Sequence, residues 1–226
     1  MRRGPALAVG LLAGTALDAL VGDPRSGHPV AAFGQVASML ERRMWCDSRV
    51  VGAAFAAACV GGAVTAGAIL EQVAAGGRRY SLTAALATWT VLGGTSLRRE
   101  AGAIAQLLAS DDLPAARRRV TNLVGRDPSR LDESQIARAV VESVAENMSD
   151  AVVAPLVWGA CAGVPGLLGY RALNTLDAMV GHRSARYRRF GWASARLDDL
   201  ANVVPARVTA ALTALVSERP REVWRV

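Results

Sequence analysis

Long stretches without charged side chains restrict this chain to few folds. Val50 to Leu70 carries no charge between Arg49 and Glu71, and Tyr80 to Leu97 and Ala151 to Tyr170 carry none. Gly4 to Val21 is interrupted only by Asp18, and a weaker run, Val203 to Val216, by Pro205 and Arg207. A bilayer core is crossed by about 20 helical residues, and its interior lets the backbone satisfy itself only in helices or closed barrels. The expected fold is all-α: a polytopic integral membrane protein with helical cytoplasmic segments, forming one domain over residues 1–226. Hydrophobic residues make up 52% of the chain and aromatics 5%; the small Ala, Val and Gly that remain let helices approach closely in lipid.

Not every run reads as a plain crossing. Pro155, Gly159, Gly163, Pro165 and Gly166 interrupt the 151–170 stretch, and Pro in a helix interior removes a backbone bond. The stretch reads either as a full crossing or as a re-entrant pair of half helices. Arginine distribution supports re-entry, because cytoplasmic loops are enriched in basic residues. With re-entry, Arg25, Arg42, Arg43 and Arg49, the eight arginines from 98 to 138, and the six from 171 to 196 share one side, against Arg2, Arg3, Arg78 and Arg79. The first run, led by Arg2 and Arg3, is expected to be a retained span because no small-x-small cleavage site follows it.

The formal net charge is +7, and all 26 basic residues are Arg. Without lysine there is no Walker A lysine, Schiff base or lysyl nucleophile. Phosphate must be held by Arg, by backbone N–H groups or through a metal. The arginines lie between apolar runs and form no uniform face, which argues against nucleic acid and for lipid headgroups or phosphate substrates. Cys46, Cys59 and Cys161 are widely spaced and suit neither a disulfide framework nor a zinc site; Cys59 and Cys161 read as small core residues.

Between Arg98 and Asp150 the chain looks water-exposed. Asp111-Asp112-Leu-Pro114 reads as a helix start, Gly125-Arg-Asp127-Pro128 as a turn, and Asp132-Glu-Ser-Gln135 as a capping box opening a helix through Glu146. Glu142 and Glu146 share a helix face, with Asp150 near the same stripe if the helix continues. That stripe is either a solvated face, with Arg138 pairing Glu142, or a cation site of the oxygen-only kind that suits Mg²⁺. Asn174 and Asp177 are neighbours at i and i+3, followed by His182, Arg183, Arg186, Arg188 and Arg189. Those arginines suit phosphate or carboxylate binding and equally suit membrane anchoring. Asp198-Asp199 could hold a metal or pair with Arg196. His28, in the turn Asp23-Pro-Arg-Ser-Gly-His-Pro-Val30, is either structural or a proton carrier.

Several blocks together resemble one family. They are Gly22-Asp23-Pro24 with His28-Pro29-Val30; Glu142-Ser-Val-Ala-Glu146-Asn147 with Asp150 and Ala154-Pro155-Leu156; Tyr170-Arg171-Ala-Leu-Asn174-Thr-Leu-Asp177-Ala-Met-Val-Gly181; and Phe190-Gly-Trp-Ala-Ser-Ala-Arg196-Leu-Asp198-Asp199-Leu-Ala-Asn202. The chain resembles the cobinamide-phosphate synthase family of cobalamin biosynthesis (CobD/CbiB type) from about Ala8 to Val216. The resemblance implies a multi-pass membrane enzyme that joins aminopropanol or its phosphate to a propionate carboxyl of adenosylcobyric acid, as an ATP-dependent, Mg²⁺-assisted carbon–nitrogen ligase. Members usually continue through a His-x-x-Pro-Asn-x-Gly segment and a final hydrophobic stretch, so this chain is expected to lack the family's C-terminal part. Met148 stands where Thr is common, and His182 where Tyr is common.

For such chemistry the expected catalytic groups are Glu142, Glu146, Asp177 and His28. Metal ligands are expected among Glu146, Asn147, Asp150, Asp198 and Asp199, and substrate contacts among Arg171, Asn174, Arg183 and Arg196. The expected partners are a corrinoid acid, the amino alcohol and the lipid bilayer, with the active face cytoplasmic. Two other readings are a polytopic Mg²⁺-dependent prenyltransferase, suggested by Asn174…Asp177 and Asp198-Asp199, and a non-catalytic membrane relative.

Overall fold

The computed structural model describes residues 3–22, 28–125 and 127–217. Asp23 to Gly27 and Arg126 lie outside the described residues, and so do the readings that fall on them. Among the described residues the protein is helical throughout: α1 (Arg3–Val21), α2 (Pro29–Met44), α3 (Arg49–Val73), α4 (Gly77–Val91), α5 (Gly94–Ala109), α6 (Leu113–Val120), α7 (Glu133–Met148), a π-turn (Ser149–Val153), α8 (Ala154–Val180) and α9 (Trp192–Val216). Four stretches are long and apolar enough to cross a membrane: Gly4–Val21, Arg49–Val73, the continuous path Glu133–Val180, and Trp192–Val216.

Small residues place the first helices. Gly10 and Gly14 lie directly against Ala84, Ala85 and Thr88, so α1 and α4 run parallel with their backbones nearly touching, the packing that small residues four apart allow. Ser81 Oγ donates to the Ala6 carbonyl at 2.9 Å and Trp89 Nε1 to the Gly22 carbonyl at 2.8 Å. The Tyr80–Leu97 run does not form one span. Helix α4 stops at Val91 and α5 begins at Gly94, because the break is held from outside. Asp18, buried at the end of α1, accepts the Thr95 N–H at 3.2 Å and caps α5, whose own N-cap is Gly93. What reads as a blemish in the first apolar run is thus a cap supplied by another helix.

The 151–170 stretch folds back on itself. Gly163 has φ 67° and ψ −150°, a region essentially closed to other residues. Beyond it the chain reverses: Gly166 abuts the Trp158 carbonyl and Gly159 abuts Leu167, while Gly67 and Val64 of α3 abut Pro165 and Gly169. Pro165 sits in the first turn of the returning arm, where no N–H is needed. Glu71 closes the tip by accepting the Val164 N–H at 2.9 Å, and Tyr80 donates to the same oxygen at 2.9 Å. The hairpin's mouth therefore opens beside Gly93 and the start of α3, with both acidic blocks on one side.

Pro155 and Pro205 each expose a carbonyl four residues earlier, and both carbonyls find another donor. Pro155 deprives Ala151, whose oxygen accepts the Gly93 N–H at 3.1 Å; the helix widens here into the π-turn, a common response to a lost bond at functional sites. Pro205 deprives Ala201, whose oxygen accepts Trp158 Nε1 at 3.1 Å. The run that Pro205 and Arg207 were expected to break is therefore one continuous helix, α9.

Two cores flank the hairpin. Phe55, Cys59, Leu176, Val180 and Phe190 pack where α3, α8 and α9 meet, with the Phe55 and Phe190 rings 5.0 Å apart. Ile104, Ala116, Val120 and Ile136 make a separate core for α5–α7. In that unit the expected helix starts appear: Asp112 accepts the Ala115 N–H at 3.0 Å, and Asp132 and Gln135 form the capping box. All three cysteines are free, and Cys161 is exposed, unlike the core residue expected.

Candidate functional site

Three elements bring their polar side chains together at the mouth of the hairpin. The returning arm of α8 carries Tyr170, Arg171, Asn174 and Asp177 at helical spacing. The π-turn carries Asp150, and α9 carries Asp198 and Asn202 one turn apart. Asn174 lies between two carboxylates, in hydrogen-bonding reach of Asp150 and Asp198. Asp150, Asp177 and Asp198 are within electrostatic range of one another, Glu146 acts on Asp150 and Asp177, and Arg171 on Asp150.

Asp198 is the most buried of these carboxylates, 7% exposed. Its Oδ2 accepts Asn202 Nδ2 at 3.0 Å, and Tyr170 Oη donates to Asn202 Oδ1 at 2.8 Å, fixing the amide. Asp198 Oδ1 is buried with no hydrogen-bond partner. Ser194 Oγ, one turn earlier on α9, and Ser149 Oγ on the π-turn are also buried without one. A buried carboxylate oxygen facing other carboxylates is costly unless a cation or donor satisfies it. All the donors offered are oxygens, the set that suits a hard divalent cation. Among the described residues no three His, Cys, Asp or Glu side chains form a preformed metal cage.

Several sequence expectations change. Glu142 faces outward and accepts from Arg138 at 2.8 Å, both side chains exposed, so it is a solvated i,i+4 pair rather than part of the cluster. The π-turn is the reason: it carries Asp150 off the Glu142–Glu146 stripe and inward, leaving Glu146 exposed at the rim. Asn147 Nδ2 turns back along α7 to the Ser143 carbonyl at 2.9 Å and Oγ at 3.2 Å. Asp199 is exposed and pairs with Arg196 at 3.8 Å, although it still acts on Asp177. His28 is the N-cap of α2, its Nδ1 accepting the Val30 N–H at 3.2 Å. Arg183 is exposed on the segment joining α8 to α9.

Asp177, Asn174, Asp150, Asp198, Glu146 and Arg171 are the expected residues that do meet. Tyr170 and Asn202 were not anticipated as site residues; the spacing of Asp198 and Asn202 was the available signal. Behind them lies an apolar cleft of about 460 Å³ lined by Val60, Val64, Trp158, Leu173, Leu197 and Tyr170.

An all-helical bundle with four membrane-length stretches and an oxygen-rich cluster at the mouth of a re-entrant hairpin defines a polytopic membrane protein with a polar site. The chain belongs to the CobD/Cbib family, which matches residues 11–226. It is similar to a Mycobacterium tuberculosis protein named "Cobalamin biosynthesis protein CobD", 53% identical over 209 residues, 92% of this chain and 66% of that protein. Proteins of the same name from Rhodobacter capsulatus (44% over 196 residues, 85% and 62% of the two chains) and Geobacter metallireducens (43% over 228 residues, 96% and 71%) are also similar. The chain thus spans about two thirds of the length of these relatives. No solved structure matches.

Proposed function

We propose that this chain acts in cobalamin biosynthesis at the adenosylcobinamide-phosphate synthase step, forming the amide between aminopropanol or its phosphate and a propionate carboxyl of adenosylcobyric acid. Family membership supports the pathway. The observation that carries a catalytic reading is the buried, unpartnered Asp198 Oδ1 within a group of facing carboxylates. ATP would supply carboxyl activation, with Mg²⁺ neutralising its phosphates.

Asp150, Asp177 and Asp198 offer anionic oxygens for the cation, and Asn174 bridges two of them. Tyr170 and Asn202 hold Asp198 in one orientation. Glu146, exposed at the rim, is the carboxylate placed to take the proton that the attacking amine must lose. Arg171, Arg183 and Arg196 supply positive charge for a phosphorylated amine. The arginine-rich side carries the hairpin's mouth, which supports a cell-membrane protein with its active face towards the cytoplasm.

The test uses detergent-purified protein with adenosylcobyric acid, aminopropanol phosphate, ATP and Mg²⁺, with the amide detected by mass spectrometry. Asp177→Ala and Glu146→Ala are expected to abolish product. Unchanged turnover in Asp177→Ala removes the carboxylate group from the mechanism, and absence of amide from the unaltered chain refutes the activity.

A further inference from the structure

We propose that Glu41 is a positioning residue: it pins the strap between α8 and α9 and thereby fixes Asp177 relative to Asp198. The inference rests on the reading above, that these two carboxylates belong to one site.

Residues 181–191 connect the end of α8 to the start of α9, and each end of this strap is bound to the site's own helices. At its start, the Gly181 N–H donates to the Asp177 carbonyl at 2.7 Å, Gly181 packs on the Asp177 carboxylate, and His182 acts on that carboxylate. At its end, Phe190 is fully buried against Phe55, and Gly191 lies on the Val180 carbonyl. Between them the strap is mostly exposed and strongly basic, with Tyr187 packed against the core that Ala37, Phe55 and Phe190 share.

What holds the middle comes from α2 and the turn after it. Glu41 is 8% exposed; its Oε1 accepts Arg186 Nη2 at 2.9 Å and Tyr187 Oη at 3.3 Å. Trp45 adds two contacts, its ring lying 4.6 Å from the Arg186 guanidinium and its Nε1 donating to the Arg186 carbonyl at 3.3 Å. Arg189 reaches Asp47 at 3.5 Å, between exposed side chains. Of the two acids, only Glu41 is buried, and a buried charge that loses its partner is far more disruptive than an exposed one. In the sequence Glu41 directly precedes Arg42 and Arg43.

Two readouts independent of turnover test this. Spin labels at positions 184 and 200 report strap against α9, and amide hydrogen exchange reports residues 183–189. Glu41→Ala is expected to broaden the label distance distribution and to speed exchange about 10-fold, as for a segment released to local opening. In the amide-forming assay kcat is expected to fall about 10-fold, with KM for the corrinoid acid changed less than about 2-fold. The charge-swapped pair Glu41→Arg with Arg186→Glu should recover kcat to within about 3-fold of the unaltered protein, which a general loss of packing would not permit. Unaltered label distances and exchange in Glu41→Ala overturn the proposal, and so does a loosened strap with undiminished kcat. If the unaltered chain forms no amide, the activity fails, and the label distances alone decide whether Glu41 holds the strap.

Discussion

Replacing Gly163 with alanine tests the hairpin most directly, because two separate costs meet at that residue. With φ 67° and ψ −150°, an L side chain there pays about 1–3 kcal/mol in backbone strain. The added Cβ would also fall on the Glu71 carboxylate, which accepts the Val164 N–H and the Tyr80 hydroxyl, each at 2.9 Å. Hydrogen bonds to a charged group contribute about 1.5–3 kcal/mol each, and displacing the carboxylate forfeits at least one. We therefore expect Gly163→Ala to cost about 4 kcal/mol, roughly a thousandfold in the folding equilibrium. Glu71→Gln, which keeps an acceptor but loses the charge, should cost about 1–2 kcal/mol. Reversible unfolding in mixed detergent micelles, or steric trapping in bicelles, measures both. A penalty below about 1 kcal/mol for Gly163→Ala would refute a tight reversal capped by Glu71.

Three further outcomes are expected. Asp18→Ala removes the cap that α1 lends to α5 and should destabilise the protein by about 1–2 kcal/mol in the same unfolding assay, with faster hydrogen exchange at Thr95. Trp158→Phe leaves the Ala201 carbonyl without the indole donor and should cost about 1–3 kcal/mol, with a local bend of α9 seen as a changed label distance across Pro205. The Asp132 carboxyl is held below its ordinary range by the Gln135 N–H and the Ser134 hydroxyl. A depressed folded-state value means its contribution is present above the unfolded-state value and lost as pH falls through the folded one. Exchange at residues 133–136 should therefore accelerate below about pH 4, and Asp132→Asn should flatten that dependence.

Much of the fold is legible in the sequence because charge-free length and proline position act locally. The capping box at Asp132, the helix start at Asp112 and the reversal within 151–170 needed no knowledge of distant residues. Two of the failures share one cause: a partner far along the chain changed the meaning of a local signal. Pro205 reads as a helix breaker because nothing nearby shows that Trp158, 47 residues earlier, supplies the missing donor. Asp18 reads as an interruption because Thr95, 77 residues later, is more remote still. At the site, Asp150, Asp177 and Asp198 are identifiable by type, whereas the outward position of Glu142 shows only once the π-turn is placed between it and Asp150. Tyr170 and Asn202 passed unremarked because neutral side chains announce little until the carboxylate they orient is placed beside them.

The bond from the Trp158 indole to the Ala201 carbonyl bears on the order in which the protein is built. A lone carbonyl in hydrocarbon costs several kcal/mol, so α9 with its proline is a poor guest in lipid by itself. The hairpin that carries Trp158 leaves the ribosome first. The donor is thus already in place when the last described helix arrives, and that helix can settle only where the hairpin stands ready to receive it.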